Sequence, residues 1–315
     1  MAMLHLRAVC PVDHTDQVLA ALKEHPGVTH VVLLRGAAID PAGDMVEADI
    51  AREATDEVVA ALCGLGIDRT GGVTLEQIDT ALSDAADRAE EAAPGEAADA
   101  VVWEELISRT GEESRLNVTF QSFLTIACLL AAVGVVTNSP VTIVGAMVVG
   151  PEFGPLAAIA VGLVLRRWDL VRRASAALAI GFPLAMVITF AAAVVGSYTD
   201  LFDRDMVLAA HQVDFVFQVG PFSLIVALLA GAAGMLSMTS AKSAALVGVF
   251  ISVTTVPAAG YAAIAAVLGE WAICGQSVLQ LAVNLVGIVV AASVVLALRR
   301  RRGRMAATGR PLSNG

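Results

Sequence analysis

The amino-acid sequence predicts a mainly α-helical membrane protein that begins with a small α+β domain. Hydrophobic residues make up 57% of the 315 residues and charged residues only 16%, and the mean hydropathy is +0.75. A water-soluble fold cannot bury so large an apolar fraction, so the composition favours a membrane class. The charge is unevenly divided, because residues 1–115 carry a formal charge of −15 and residues 116–315 one of +5. An acidic soluble part and a largely apolar part are therefore expected.

Residues 1–80 show alternating strand and helix patterns. The segment LHLRAV near the start alternates in the manner of a half-buried strand. Two helical patterns that end at glycine or proline, and three further strand patterns, follow it. In chain order they are residues 15–25 (helix), 28–34 (strand), 44–50 (strand), 53–65 (helix) and 73–78 (strand). The order β-α-β-β-α-β predicts a ferredoxin-like domain, which either binds a small ligand or is a stable cap without one.

Residues 81–115 form an acidic, alanine-rich linker that favours helix, with a break at Pro94-Gly95. An apolar cluster around Trp103 lies just before the membrane. The segment is either an interfacial helix with Trp103 at the level of the lipid head groups or a linker helix packed on the soluble domain.

Residues 116–300 contain six apolar segments, each near the roughly 20 residues that cross a bilayer. They are residues 118–136, 141–165, 174–196, 220–239, 244–268 and 277–298. Basic residues follow the second, fourth and sixth segments, whereas loop 197–219 holds four aspartates and one arginine. The positive-inside rule therefore predicts six spans with both termini in the cytoplasm. Residues 301–315 are expected to form a basic, disordered tail.

Spans two and five resemble each other in sequence. Ile143-Val144-Gly145 and Leu246-Val247-Gly248 match at an offset of 103 residues, and a helix-breaking patch follows each of them. If the six spans arose by duplication of three, the two halves must have opposite orientations in the membrane, because each half has an odd number of spans. Inverted repeats with broken helices are typical of transporters and channels. The alternative is that Gly, Pro and Ala simply permit close helix packing.

Glu152 is the only acidic or basic side chain inside a predicted span. A carboxylate there costs several kcal/mol unless it is neutral, paired or facing water. Pro151 and Pro155 flank it, Thr255 takes its position in the second repeat, and Thr254 corresponds to Pro151. Carboxylate, hydroxyl and unwound carbonyl oxygens can together hold a cation or a proton. The alternative is a carboxyl group that caps the broken helix.

Two further polar groups belong to the candidate site. Asn138 and Ser139 precede Pro140, where they are expected to cap the start of span two. Asn284 forms a polar stripe with Gln276 and Gln280 on span six. The stripe either makes interhelical hydrogen bonds or lines a permeation path.

No pattern indicates a metal, cofactor, catalytic or nucleic-acid site. The four cysteines lack a CxxC pair, and no HExxH motif or catalytic pair lies in the spans. The acidic soluble half argues against nucleic-acid binding. The histidines of the soluble part are interpreted as surface residues, with a weak metal site as the alternative. They are His5, His14, His25 and His30.

Several motifs carry a resemblance to a known family. They are Trp103-Glu104-Glu105, Asn138-Ser139-Pro140, Ile143-Val144-Gly145-Ala146-Met147, Pro151 with Gly154-Pro155, and Ser243-Ala244-Ala245-Leu246-Val247-Gly248-Val249. Across most of residues 65–298 the sequence resembles the bacterial hydrophobic membrane family called domain of unknown function 389. The resemblance implies an integral protein of a bacterial-type inner membrane and no particular activity. Glu152 stands where many relatives carry an apolar residue, and Pro257-Ala258 replaces their double proline.

Two functions are expected as alternatives. The first is a transporter or channel for a small solute or ion, with a path between the broken helices and a cytoplasmic regulatory domain. The second is a membrane-anchored sensor whose ferredoxin-like domain binds a small metabolite, such as an amino acid or a nucleotide, without transport. An enzyme is not expected. A homo-oligomer fits both functions, because ferredoxin-like sheets often pair and the spans are rich in small residues.

Overall fold

The computed structural model describes residues 3–78, 80–93, 101–202, 220–239 and 255–308. The chain divides into two compact units. The first consists mainly of Met1–Leu106, and the second mainly of Ile107–Met238 and Ser243–Arg300.

The first unit contains a four-stranded antiparallel sheet with the strand order β2-β3-β1-β4. Its elements are β1 (Met3–Cys10), α1 (Thr15–Lys23), β2 (Val28–Ile39), β3 (Ala42–Ala51), α2 (Thr55–Gly64), α3 (Ile67–Thr70), β4 (Gly72–Ile78) and α4 (Asp84–Ala92). Apart from the short α3 and the added α4, the order β-α-β-β-α-β is the one that the sequence predicts.

Side-chain alternation along the central strands builds the core of this unit. Leu6 of β1 pairs with Ala48 of β3, and neither is exposed. Val18 of α1 and Leu62 of α2 pack in the same cluster. Because alternate residues of a strand point to opposite faces, the other face carries polar residues such as Arg7, which is exposed.

Helix α5 (Trp103–Glu113) begins on the first unit. The backbone N–H of Trp103 donates to Asp56 Oδ1 at 3.1 Å, and Gln77 donates to Glu105 Oε1 at 2.7 Å. Arg52 lies 3.3 Å from the other oxygen of Glu105. These contacts match a linker helix packed on the soluble domain, the second of the two alternatives for residues 81–115.

The Asp56 carboxyl group makes the stability of the first unit depend on pH. Burial raises the pKa of Asp56 to about 6, and the Glu104 carboxylate adds to the rise, against the opposing effects of the Trp103 N–H and Arg52. The pKa of an unfolded aspartate is about 3.9. The folded chain therefore binds more protons between about pH 4 and 6, and its free energy of unfolding falls as the pH rises through that window.

We expect Asp56→Asn to stabilise the first unit at pH 8 by about 2 kcal/mol, after allowance for partial exposure, and to remove this pH dependence. Asparagine keeps an oxygen that accepts from Trp103. Hydrogen exchange of the full chain at pH 4 and pH 8 measures the difference. Asp87→Asn, at an exposed position of α4, is the control. An equal response of both variants would contradict the role of Asp56.

The second unit is helical, and the part of it that the structure describes contains four to five candidate membrane spans. Its helices are α6 (Val118–Val136), α7 (Pro140–Val149), α8 (Phe153–Leu165), α9 (Trp168–Tyr198), α10 (Pro221–Thr239), α11 (Val256–Val267) and α12 (Trp271–Thr308). Helices α6, α9, α10 and α12 are long and apolar enough to cross a membrane, and α7 with α8 forms a fifth candidate bent by 54°. Of the predicted span at 244–268, residues 244–254 lie outside the described residues, and α11 covers most of the rest.

Small residues let the helices of this unit approach closely. A Cβ added to Gly260 of α11 would lie 2.8 Å from Ala131 Cβ and 2.9 Å from the Cys128 carbonyl oxygen of α6. A Cβ on Gly134 of α6 would lie 2.6 Å from Ile143 of α7. Helix α6 therefore packs tightly against both α7 and α11, as small residues in membrane helices permit.

Candidate functional site

Proline residues set the starts of α8 and α11. Helix α7 stops before Gly150 and Pro151, and Pro155 lies in the first turn of α8. Helix α11 has Pro257 in its first turn. Proline fits there because the first N–H groups of a helix have no intrahelical partner. The break that the sequence predicts in span two is therefore observed, and α11 begins at Val256, within the matching patch.

A buried hydrogen bond joins the N-termini of α8 and α11. Thr255 Oγ1 donates to Glu152 Oε1 at 2.6 Å, and neither residue is exposed to solvent. Glu152 is the N-cap residue of α8, and Thr255 is the N-cap residue of α11. The offset of 103 residues between the two matching sequence segments pairs these same two positions. Sequence comparison of the two segments thus identified two side chains that the structure brings into contact.

The environment of this pair strengthens electrostatic interactions. Leu156 of α8 and Val256 of α11, each close in sequence to the pair, are buried with Ala127 and Cys128 of α6 in one apolar cluster. Interactions in such surroundings are stronger than in water. The positive ends of the α8 and α11 dipoles also favour negative charge at their N-termini. The apolar surroundings therefore strengthen the interactions of the Glu152 carboxyl group, and the two helix dipoles favour its charged form.

A cleft of about 380 Å³ reaches the break between α7 and α8. Gly150, Pro151 and Gly154 form part of its wall, together with residues near the start of α6. Glu113, the last residue of α5, packs on the break, because a Cβ on Gly154 would lie 2.6 Å from Glu113 Cβ. Glu152 itself is buried and does not line the cleft. All lining residues belong to the second unit.

Asn138 and Ser139 lie at the opposite end of α7 from Glu152. Ser139 Oγ accepts from the Thr142 N–H at 3.3 Å and so caps α7 as predicted. Asn138 adopts a positive φ of 49° in the turn after α6. The ten residues of α7 span about 15 Å, so these two residues do not form one group with Glu152. Thr254 lies outside the described residues.

Asn284 belongs to a buried polar stripe, with a register different from the predicted one. Gln280 donates to Asn284 Oδ1 at 3.4 Å and accepts from Ser223 Oγ of α10 at 3.2 Å. Ser277 is fully buried, whereas Gln276 is exposed. The contact with Ser223 favours interhelical hydrogen bonding, the first of the two alternatives. The i, i+3, i+7 spacing of 277, 280 and 284 was the available sequence signal.

The surface histidines of the first unit contact carboxylates. His5 and His30 each place Nδ1 within 2.8 Å of Asp49, on either side of one carboxylate. His25 lies 3.1 Å from Glu57. Among the described residues, no group of three or more His, Cys, Asp or Glu side chains is arranged to hold a metal ion.

A family model described as Domain of unknown function (DUF389) matches residues 147–290. The match confirms, over these residues, the resemblance that the sequence shows across most of residues 65–298. It covers the break between α7 and α8, the Glu152–Thr255 pair and the polar stripe of α12. No curated protein and no solved structure matches the chain.

Proposed function

We propose that this chain, which carries a DUF389 domain, is a membrane transport protein for a proton or a small cation, acting as a transporter or a channel. The observation that carries the proposal is the 2.6 Å hydrogen bond between Thr255 and Glu152, both fully buried. A bundle that only anchors a soluble domain does not require a carboxyl group buried among apolar helices. Carboxyl groups at such positions commonly belong to ion or proton pathways.

The geometry of the pair supports a six-span inverted repeat. In two halves related by a two-fold axis, a residue contacts its own counterpart only near that axis. Glu152 and Thr255 are counterparts in sequence, and they are in contact. Each also occupies the N-cap position of a helix that starts within a helix-breaking patch, and neither side chain accepts a capping hydrogen bond from that helix. Binding sites at the junction of inverted repeats typically lie between such interrupted helices.

The proposed path passes between α8 and α11, where the Glu152 carboxyl group exchanges its ion. Thr255 Oγ1 orients this group by donating to one oxygen. The two helix N-termini stabilise the charged carboxylate when its ion has left. Uptake of a proton or a cation neutralises the charge, so the site can alternate between two states of different electrostatic energy.

The first unit is proposed to be a cytoplasmic regulatory domain of ferredoxin-like type. The strand order β2-β3-β1-β4 with helices after β1 and β3 supports that classification. The positive-inside rule supports cytoplasmic termini. We also propose a homo-oligomer, because the candidate spans carry exposed apolar side chains interspersed with small residues.

Flux through proteoliposomes tests the proposal. We expect the full-length protein to carry protons, Na⁺ or K⁺ down an imposed gradient, followed with trapped ion-sensitive dyes. Glu152→Gln keeps an oxygen acceptor for Thr255 but cannot ionise, so we expect flux to fall by about ten-fold or more with unchanged thermal unfolding. Glu270→Gln, in the turn before α12, is the control and should keep its flux.

Equal leakage of all three ions through protein-containing and empty liposomes would overturn the proposal. Flux that persists in Glu152→Gln would exclude Glu152 as the exchanging group. A sensor would show no flux but would bind a metabolite through the first unit.

A further inference from the structure

The cleft beside the break has the size of a small-molecule site. Its volume is about 380 Å³, which falls in the range of ligand pockets in proteins, about 300–1,000 Å³. A single water molecule occupies about 30 Å³ in the liquid, so the cleft is far larger than a bare ion requires. Its ligand is therefore expected to be a small organic molecule and not a bare ion.

Among the described residues, the charged side chains that line the cleft are two arginines and two glutamates. Arg109 Nε lies 3.1 Å from Glu113 Oε1, and Arg115 Nε lies 3.5 Å from Glu112 Oε2. The four side chains are between 41% and 71% exposed. Ion pairs that are so exposed contribute at most about 1 kcal/mol. A ligand can therefore replace either partner at little cost.

The wall also contains apolar groups, together with the uncharged polar residues Asn117, Thr119 and Ser237. Phe120, Phe123 and Phe153 line the cleft together with Pro151. Phe123 is 49% exposed, so it offers an aromatic surface to an entering molecule. An apolar wall with a few charged groups is the usual composition of a site that fixes the orientation of its ligand.

We propose that this cleft binds a zwitterion, a molecule with one anionic group and one ammonium group on an apolar body. An ion of one sign would meet two attractive and two repulsive side chains, since the four lining charges cancel. A zwitterion can direct its anionic group to a guanidinium and its ammonium group to a carboxylate, so complementarity favours it. The body then contacts the phenylalanine side chains.

The ligand has two possible sources, a free amino-acid-like solute or the head group of an amine-bearing phospholipid. The cleft lies at the start of α6, a candidate span, where both sources are accessible. Binding does not require ion flux, because Glu152 is buried behind the wall and does not line the cleft. The two proposals can therefore fail separately. Absence of ion transport would not contradict zwitterion binding, and absence of zwitterion binding would not contradict ion transport.

Thermal shift and calorimetry on the full-length protein in detergent test the proposal. Phenylalanine is the probe for a free solute, and its matched analogues are 2-phenylethylamine, which lacks the carboxylate, and 3-phenylpropanoate, which lacks the ammonium group. Phosphatidylethanolamine in mixed micelles is the lipid probe, with phosphatidic acid as the analogue without an amine. We expect at least one zwitterion to bind more tightly than its single-charge analogues, by about five-fold or more.

Variants locate the binding in the cleft. Arg115→Gln and Glu112→Gln should each weaken zwitterion binding by about five-fold, and both positions are exposed enough to tolerate the change. Arg172→Gln, an exposed arginine on α9, should bind as the wild type does. Binding of phenylalanine would identify a free solute, and binding of phosphatidylethanolamine alone a lipid head group. No binding of either zwitterion at millimolar concentration, or equal binding of single-charge analogues, would overturn the proposal.

Discussion

We expect Gly71→Ala to destabilise the first unit by about 3 kcal/mol or more, since overpacking against backbone cannot be relieved by rotating a side chain. A Cβ at Gly71 would overlap the carbonyl oxygen of Val9 and lie 2.9 Å from the Val9 carbonyl carbon. Val9 belongs to β1, which pairs with β3 on one side and β4 on the other. Moving β1 away from the new methyl group would break hydrogen bonds to both neighbours. Hydrogen exchange of β1 in the full chain measures the loss.

Gly72→Ala is the matched control, one residue further along the chain. No atom lies within 4 Å of a Cβ built at Gly72, so we expect a change within about 0.5 kcal/mol. Because both substitutions add one methyl group to neighbouring glycines, their difference isolates the contact with Val9. Equal exchange rates in the two variants would show that β1 adapts to the added methyl group.

Local patterns predicted the four strands and the helices α1 and α2 of the first unit, but not the short α3 or the end of β2. The sequence predicted a strand over 28–34, whereas β2 continues to Ile39 through a register shift between Leu34 and Ala38. Asp44 holds this irregular segment by accepting the Gly36 N–H at 2.7 Å and the Thr15 hydroxyl at 2.8 Å. The extension depends on contacts that the buried Asp44 carboxylate makes with other segments. The sequence pattern of residues 35–39 alone does not reveal these contacts.

In the second unit, composition predicted six spans, of which the described residues show four to five candidates, and proline placement predicted the break in span two. Both are local properties, because apolar length decides membrane insertion and a missing N–H stops a helix. The polar stripe was assigned to Gln276 instead of Ser277, since residue type alone does not show which side of α12 faces Ser223. The cleft was not predicted. Its wall joins the end of α5, the start of α6 and the break, which only the tertiary fold brings together.

The Glu152–Thr255 contact is the exception among long-range features. Two residues separated by 103 positions are ordinarily beyond sequence reasoning. Here the matching segments assign each residue a counterpart, and the hydrogen bond joins the two. The match between the two segments thus supplied long-range information that hydropathy and periodicity lack.

We expect the Glu152–Thr255 hydrogen bond to show strong coupling in a double-mutant cycle. Thr255→Val removes the donor to the carboxyl group and should cost about 1.5–3 kcal/mol, as for hydrogen bonds to charged groups. Glu152→Leu leaves the Thr255 hydroxyl without this acceptor and should also destabilise. In the double variant neither residue retains a polar group to satisfy, so its loss should be smaller than the sum of the single losses by about 1–3 kcal/mol.

Reversible unfolding of the full-length protein in mixed micelles with SDS measures the four free energies. As a control, a second double-mutant cycle combines Thr255→Val with Ser139→Ala. Ser139 caps α7 at the end opposite to Glu152, about 15 Å away along the helix, so these two changes should add within about 0.5 kcal/mol. Additivity in the Glu152 cycle as well would mean that the two N-cap residues lie side by side without energetic coupling. Coupling confined to the Glu152 cycle would support a site in which α8 and α11 respond together to the state of one carboxyl group.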